Sequence, residues 1–156
     1  MAEPFKKSTS INKQQRRIFS AMESWLDRAE GHKGLVQPDI AQMLMEAIAF
    51  RQDHCVWDMI EFVIMPNHIH LFFSLLQESL HDVLTPFKRW TGGQALALLS
   101  RQDERFWHRE WFDHWSRSPE EDERIIAYIR NNPVKAGLAE SYELWPYGSW
   151  AVSNDR

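Results

Sequence analysis

Hydrophobic positions recur along the chain at two spacings, and each spacing predicts a kind of element. Ile18, Met22, Trp25, Leu26 and Ala29 return every three or four residues, which predicts an amphipathic helix over about 13–30, ended by Gly31 and Gly34. A second helix is predicted over about 38–51, opened by Pro38-Asp39 and burying Ile40, Met43, Leu44, Ala47 and Ile48. A strand over about 56–65, a tight connection at Met65-Pro66-Asn67 and a strand over about 68–75 follow as an antiparallel hairpin. A helical region over about 79–100 turns Leu80, Val83, Leu84, Phe87 and Trp90 inward; Pro86 and Gly92-Gly93 are expected to kink or divide it. The aromatic run 106–115 reads as a third strand. Ser118-Pro119-Glu120-Glu121 is the clearest helix start, with a Ser N-cap, Pro at the first helical position and Glu at the capping-box position. That helix is expected to bury Ile125, Ile126 and Ile129 and to end near Asn131. Pro133 disfavours helical geometry at Asn132 and so places it near the C-cap. Trp145-Pro146-Tyr147 belongs to a tail folding back on the domain, and residues 1–12 are expected to fray. Without repeats or linkers, residues 1–156 read as one α+β domain, a central antiparallel sheet with helices packed on it.

The alternation in Phe62–Phe73 carries the first candidate chemistry. Residues i and i+2 of a strand share a face, so His68 and His70 point one way while Ile69, Leu71 and Phe73 point to the core. Two imidazoles on one rigid strand can grip a divalent metal and leave its other directions open to substrate. Strand histidines are also commonly just solvated or hydrogen-bonded, and the pair alone favours that reading. A second constellation is Tyr128 with Asn132, four apart and so stacked on one helix face away from Ile125 and Ile129. A tyrosine hydroxyl, with a reference pKa of about 10, is a covalent nucleophile once activated. The amide oxygen of Asn132 could be a third ligand beside the histidines. Read singly, Tyr128 is an amphipathic surface residue and Asn132 a helix cap.

Composition narrows the field modestly. At 156 residues with 44% hydrophobic and 26% charged residues, the chain suits a soluble globular domain. No apolar run approaches the roughly 20 residues of a membrane span, and Met1–Ser10 has no secretory h-region. The single cysteine, Cys55, is expected in buried strand packing, which fits a reducing cytoplasm. A net charge of −4 argues mildly against a general nucleic-acid binder, yet Lys88, Arg89, Arg101, Arg105, Arg109, Arg117, Arg130 and Lys135 could form a local basic surface. Eight tryptophans are unusual; Trp90, Trp107, Trp111 and Trp115 lie among those cations, as base stacking would need, although most are expected in the core.

Met65-Pro66-Asn67-His68-Ile69-His70 together with Tyr128-Ile129-Arg130-Asn131-Asn132-Pro133-Val134-Lys135-Ala136-Gly137-Leu138 resembles the single-tyrosine HUH transposases, most of all the REP-associated tyrosine transposases. Phe106-Trp107-His108-Arg109-Glu110, Phe112-Asp113-His114-Trp115 and Trp145-Pro146 fit the same pattern, over about 25–150. The resemblance implies a ferredoxin-like fold and a metal-dependent endonuclease and strand transferase acting on single-stranded or hairpin DNA. His68, His70 and Asn132 would hold Mg²⁺ or Mn²⁺. Tyr128 would attack the backbone to give a 5′-phosphotyrosine link and a free 3′-OH. Arg89, Arg109, Arg130 and Lys135 are the expected phosphate contacts. A bacterial cytoplasmic, nucleoid-associated protein, monomeric or homodimeric, follows from the same resemblance. The family's sheet usually opens with a Phe-Val-Thr-Phe-Arg type of strand, which Phe5-Lys6-Lys7-Ser8 does not resemble, so that strand is expected to be missing. Its loss would favour an alternative, a catalytically silent DNA-binding protein. A third reading has His68, His70 and His114 holding Zn²⁺ for hydrolysis.

Overall fold

Alternation, rather than helical spacing, governs the segment ahead of the first helix. The computed structural model describes residues 16–25, 34–77, 79–102 and 104–152. Within them Arg17–Glu23 is a strand, β1, burying Ile18, Ser20 and Met22 on one side and turning Arg17, Phe19, Ala21 and Glu23 to the other. The helix predicted over about 13–30 is therefore corrected at 17–23; its parts at 13–15 and 26–33 lie outside the described residues. Ile18 and Met22 are four apart, a spacing that suits both periods, and strand partners on both edges decide the outcome.

The remaining elements are α1 (Pro38–Asp53), β2 (Trp57–Ile64), β3 (His68–Leu75), α2 (Leu80–Leu98), β4 (Phe112–Trp115), α3 (Pro119–Lys135) and a short α4 (Ser149–Val152). The sheet order is β2-β3-β1-β4, with every neighbouring pair antiparallel. A β-α-β-β-α-β succession in that order is the expected ferredoxin-like topology. The expectation of a missing first strand is overturned, because β1 fills the place between β3 and β4.

One sheet face carries the main core. Ile69, Leu71 and Phe73 of β3 are fully buried there with Ile18 and Met22. Trp57 packs tilted against Phe73 and Phe87 and donates its indole N–H to the Ile48 carbonyl, so α1 and α2 both cover this face. Helix α3 covers the other face. A bulge in β2 between Met59 and Glu61 sorts β2 between the two layers. Before it, Met59 is opposite Phe73; after it, Glu61 is opposite Phe72, on the α3 side.

Several boundaries differ from expectation. Helix α2 runs without a break through Pro86 and Gly92-Gly93. Pro86 is exposed while Val83, Leu84 and Phe87 around it are buried, and the indole of Trp107 donates to Thr91 at 2.9 Å beside the glycines. The strand expected over 106–115 shortens to Phe112–Trp115. Phe106 and Trp107 instead sink into the core, held by Trp25 N–H to Phe106 O and His108 N–H to Glu23 O. Helix α3 runs past Asn131 to Lys135 and is capped at Ala136, so Asn132 is helical and not near the C-cap. Pro133 is buried, and the Ala136 N–H to Asn132 O bond carries the helix through it. Cys55 is exposed in the turn after α1 at a φ of 57°, not buried in a strand. Only Trp57, Trp107 and Trp145 of the eight tryptophans are buried, because several line sheet edges and clefts. The tail does fold back: Ile64 N–H donates to Tyr147 O and the Trp145 indole donates to Ile64 O, which covers the outer edge of β2. No helix among the described residues is long and apolar enough to cross a membrane.

Candidate active site

The turn at Met65-Pro66-Asn67 sets the start of β3 and hence the histidines. Met65 N–H closes it on His68 O, Ser24 N–H ties Asn67 O to the end of β1, and Leu35 N–H holds Pro66 O. Gly34 is required beside it: its φ is +56°, and a Cβ there would lie 2.0 Å from the Pro66 carbonyl oxygen. With the turn fixed, β3 alternates as its sequence dictates. His68 and His70 point to the α3 side, opposite Glu23 and Ala21 of β1.

Helix α3 is anchored above them at two places. At its start Ser118 accepts the Glu121 N–H, Asp122 is paired with Arg17 of β1, and Glu121 is bonded to His114 of β4. These contacts with His114 and the Arg117 N–H hold the Glu121 carboxyl below the usual range. Midway, Ile129 is buried and Arg130 Nε donates to Glu61 at 2.9 Å. Glu61 is only 3% exposed and also accepts from Ser149. Burial raises its carboxyl pKa against the opposing pull of Arg130.

Between the anchors hangs Tyr128. Its side chain is on a residue 52% exposed, yet its ring stands edge-on to His70 at 5.5 Å and to Phe19 at 5.9 Å. Phe19 in turn stacks on His70 at 5.3 Å. His68 and His70 lie 4.6 Å apart, centroid to centroid. That separation lets two imidazoles meet one cation at bond lengths of about 2.1 Å. His70 is 6% exposed, and burial, with the neighbouring His68 second, lowers its pKa to about 3. It is therefore a neutral imidazole, the form that ligates, and its Nδ1 has no hydrogen-bond partner among the described residues. His68 Nδ1 lies 3.0 Å from Asn67 Oδ1, an arrangement that orients the ring. The donors present thus fit a divalent metal.

The other expected residues divide. Asn132 is half-buried one turn beyond Tyr128, and no hydrogen bond links its side chain to either histidine among the described residues. Arg109 is exposed in a cleft that begins beside the histidine face. Arg130 is engaged by Glu61 and lies over the Tyr142 ring at 5.1 Å. Arg89 and Lys135 are exposed on α2 and α3. His114 does not join His68 and His70: it is opposite Phe19 across β1, and no cluster of three His, Cys, Asp or Glu side chains suited to a metal occurs among the described residues. The zinc hydrolase reading is corrected on that ground. Periodicity missed Phe19, hidden by the helical reading of β1. It also missed Glu61, whose signal was a lone acid in the apolar run Ile60–Ile64.

Residues 28–132 match the family model described as transposase, IS200 like. A Haemophilus influenzae protein that carries the name REP-associated tyrosine transposase is 28% identical over 114 residues, covering 65% of each chain. The chain thus spans a little under two thirds of that relative's length. The fold is similar to that of a REP-associated tyrosine transposase solved bound to a REP hairpin, with a TM-score of 0.72 and 18% identity, covering 91% of this chain and 81% of that one. A Deinococcus radiodurans protein described as a transposase matches with a TM-score of 0.51 and 15% identity, covering 74% and 88%.

Proposed function

The chain belongs to the IS200-like transposase family, and from that premise we propose that it cleaves and rejoins single-stranded DNA, through a covalent bond to Tyr128. The observation that carries the reading is the approach of the Tyr128 ring to within 5.5 Å of the His70 ring, under a helix anchored on both sides of it. The Tyr128 hydroxyl attacks the scissile phosphorus; an Oη–P bond forms, the P–O3′ bond breaks, and the leaving oxygen takes up a proton as a 3′-OH. Attack by that or another 3′-OH reverses the step and frees the tyrosine, so the bond energy is conserved and no external energy source is needed. His68, His70 and the side-chain oxygen of Asn132 would hold Mg²⁺ or Mn²⁺, which when bound would neutralise charge on the phosphate and orient it. Phe19, stacked on His70, keeps the imidazole fixed and water away from its inner side. DNA is the proposed partner, with a hairpin beside the cleaved strand.

The test is incubation with hairpin-flanked oligonucleotides and Mn²⁺, followed by denaturing electrophoresis. A protein–DNA adduct is expected with the parent chain, and none with Tyr128→Phe, His68→Ala or EDTA. A Tyr128→Phe protein that cuts as well as the parent would remove the tyrosine from the mechanism. The catalytically silent reading loses its support from a missing strand, because β1 is in place.

A further inference from the structure

Beside the histidine face lies a cleft of about 540 Å³ that the cleavage chemistry leaves unused. The sheet register fixes its position. Ala21 and Glu23, opposite His70 and His68, line it together with Trp25, just past the end of β1, and with Arg105, His108 and Arg109. Trp25 is 53% exposed, an unusual place for an indole, and it is held there. Its main-chain N–H donates to Phe106 O at 2.8 Å, and its ring stacks on His108 at 4.0 Å with planes 11° apart. His108 is fixed in turn, because its N–H donates to Glu23 O and its carbonyl accepts from Lys88 Nζ at 2.6 Å. Lys88 also bonds the Arg109 carbonyl and lies over the Trp111 ring at 5.0 Å. The result is a flat aromatic platform ordered before any ligand arrives.

The charges around the platform are of two kinds. Arg105 and Arg109 line the cleft, and neither guanidinium has an ion-pair partner among the described residues. Glu23 and Glu110 line it too, which disfavours a site for a bare polyanion. Aromatic surface, exposed guanidinium groups and carboxylate acceptors together suit a nucleotide: the base stacks, the phosphate meets arginine, and a carboxylate accepts from an exocyclic amino group.

We propose that this cleft binds an unpaired nucleotide flanking the scissile phosphate, with its base stacked on Trp25 and its phosphate met by Arg105 and Arg109. The proposal rests on the reading of the chain as one that handles single-stranded DNA. It adds a specificity element separate from the histidine and tyrosine machinery, one that favours bases bearing an amino group over thymine.

The test uses the full chain and labelled oligonucleotides carrying one abasic site, moved stepwise along the strand, with binding read by fluorescence anisotropy. Trp25→Ala is expected to weaken binding of the intact oligonucleotide about tenfold or more, in the range measured for base–aromatic stacking. At one position next to the cleavage point, an abasic site should cost the parent the same factor and cost Trp25→Ala nothing. Trp90→Ala, which removes an exposed tryptophan on α2, should bind as the parent does. Circular dichroism confirms that each variant is folded, and Trp25→Phe, which keeps a ring, should recover most of the affinity. Equal binding by Trp25→Ala, a loss that no abasic position reproduces, or no binding by the parent would overturn the proposal. Adduct formation is scored separately. An adduct with Trp25-independent binding refutes the cleft alone, and Trp25-dependent binding without an adduct refutes the cleavage reading alone.

Discussion

Glu61 is a charge placed where water is scarce, and its chemistry depends on two neighbours. Arg130 and Ser149 hydrogen-bond it, yet burial still raises its pKa above the ordinary 4.5. Between 4.5 and the raised native value, the folded protein holds a proton that the unfolded chain has released. This group's contribution to stability is thus fully present below 4.5 and falls as pH rises through that window. Glu61→Gln keeps the shape and removes the titration, so its urea midpoint relative to the parent should rise with pH across the window; a constant difference would contradict the shift. Glu61→Ala strips Arg130 of its partner and should cost about 2 kcal/mol in a urea titration. That is less than the 3–5 kcal/mol of fully buried pairs, because the Arg130 side chain is 42% exposed. At this scale the sequence was partly legible. Alternation alone put His68 and His70 on one face and Ile69, Leu71 and Phe73 on the other. It could not say that a bulge would bring Glu61 to the same side as the histidines, since one inserted residue leaves no mark on composition.

Strands and helices were read best where local chemistry is strong and least well where partners decide. The Ser118-Pro119 start of α3 carries its own capping signal, and the structure has Ser118 accepting the Glu121 N–H. The far end misled, because Pro133 has a local preference that packing overrides. β1 misled more fully. Its apolar residues satisfy a helical period, and only its pairing with β3 and β4 identifies Ser20 as an interior residue, 0% exposed. The two readings give opposite expectations for Ser20, which a helix would leave facing solvent. Its hydroxyl is buried with no hydrogen-bond partner among the described residues, so Ser20→Ala should be neutral or stabilise by up to about 1 kcal/mol. Ser20→Asp should abolish cooperative unfolding by placing a charge in the core. A Ser20→Asp protein with the parent's thermal midpoint would show that this segment is not a strand.

Across the whole molecule, the tail and the sheet stabilise each other. The Trp145 indole is buried and donates to Ile64 O at 3.0 Å, while Tyr147 O accepts the Ile64 N–H at 2.8 Å. Trp145→Ala should cost about 3–5 kcal/mol by losing that burial. Light scattering should also rise with protein concentration as the outer edge of β2 is uncovered. An unchanged urea midpoint would mean the tail contributes little. The order of the sheet has a temporal side as well. β1 emerges from the ribosome early, but Ser74 of β3 and Trp115 of β4, which pair with its residues, are translated long afterwards. At about 5–20 residues per second, the strand that becomes an interior member of the sheet spends seconds without its partners. During synthesis, therefore, β1 stays without both of its sheet neighbours until β4 has been made.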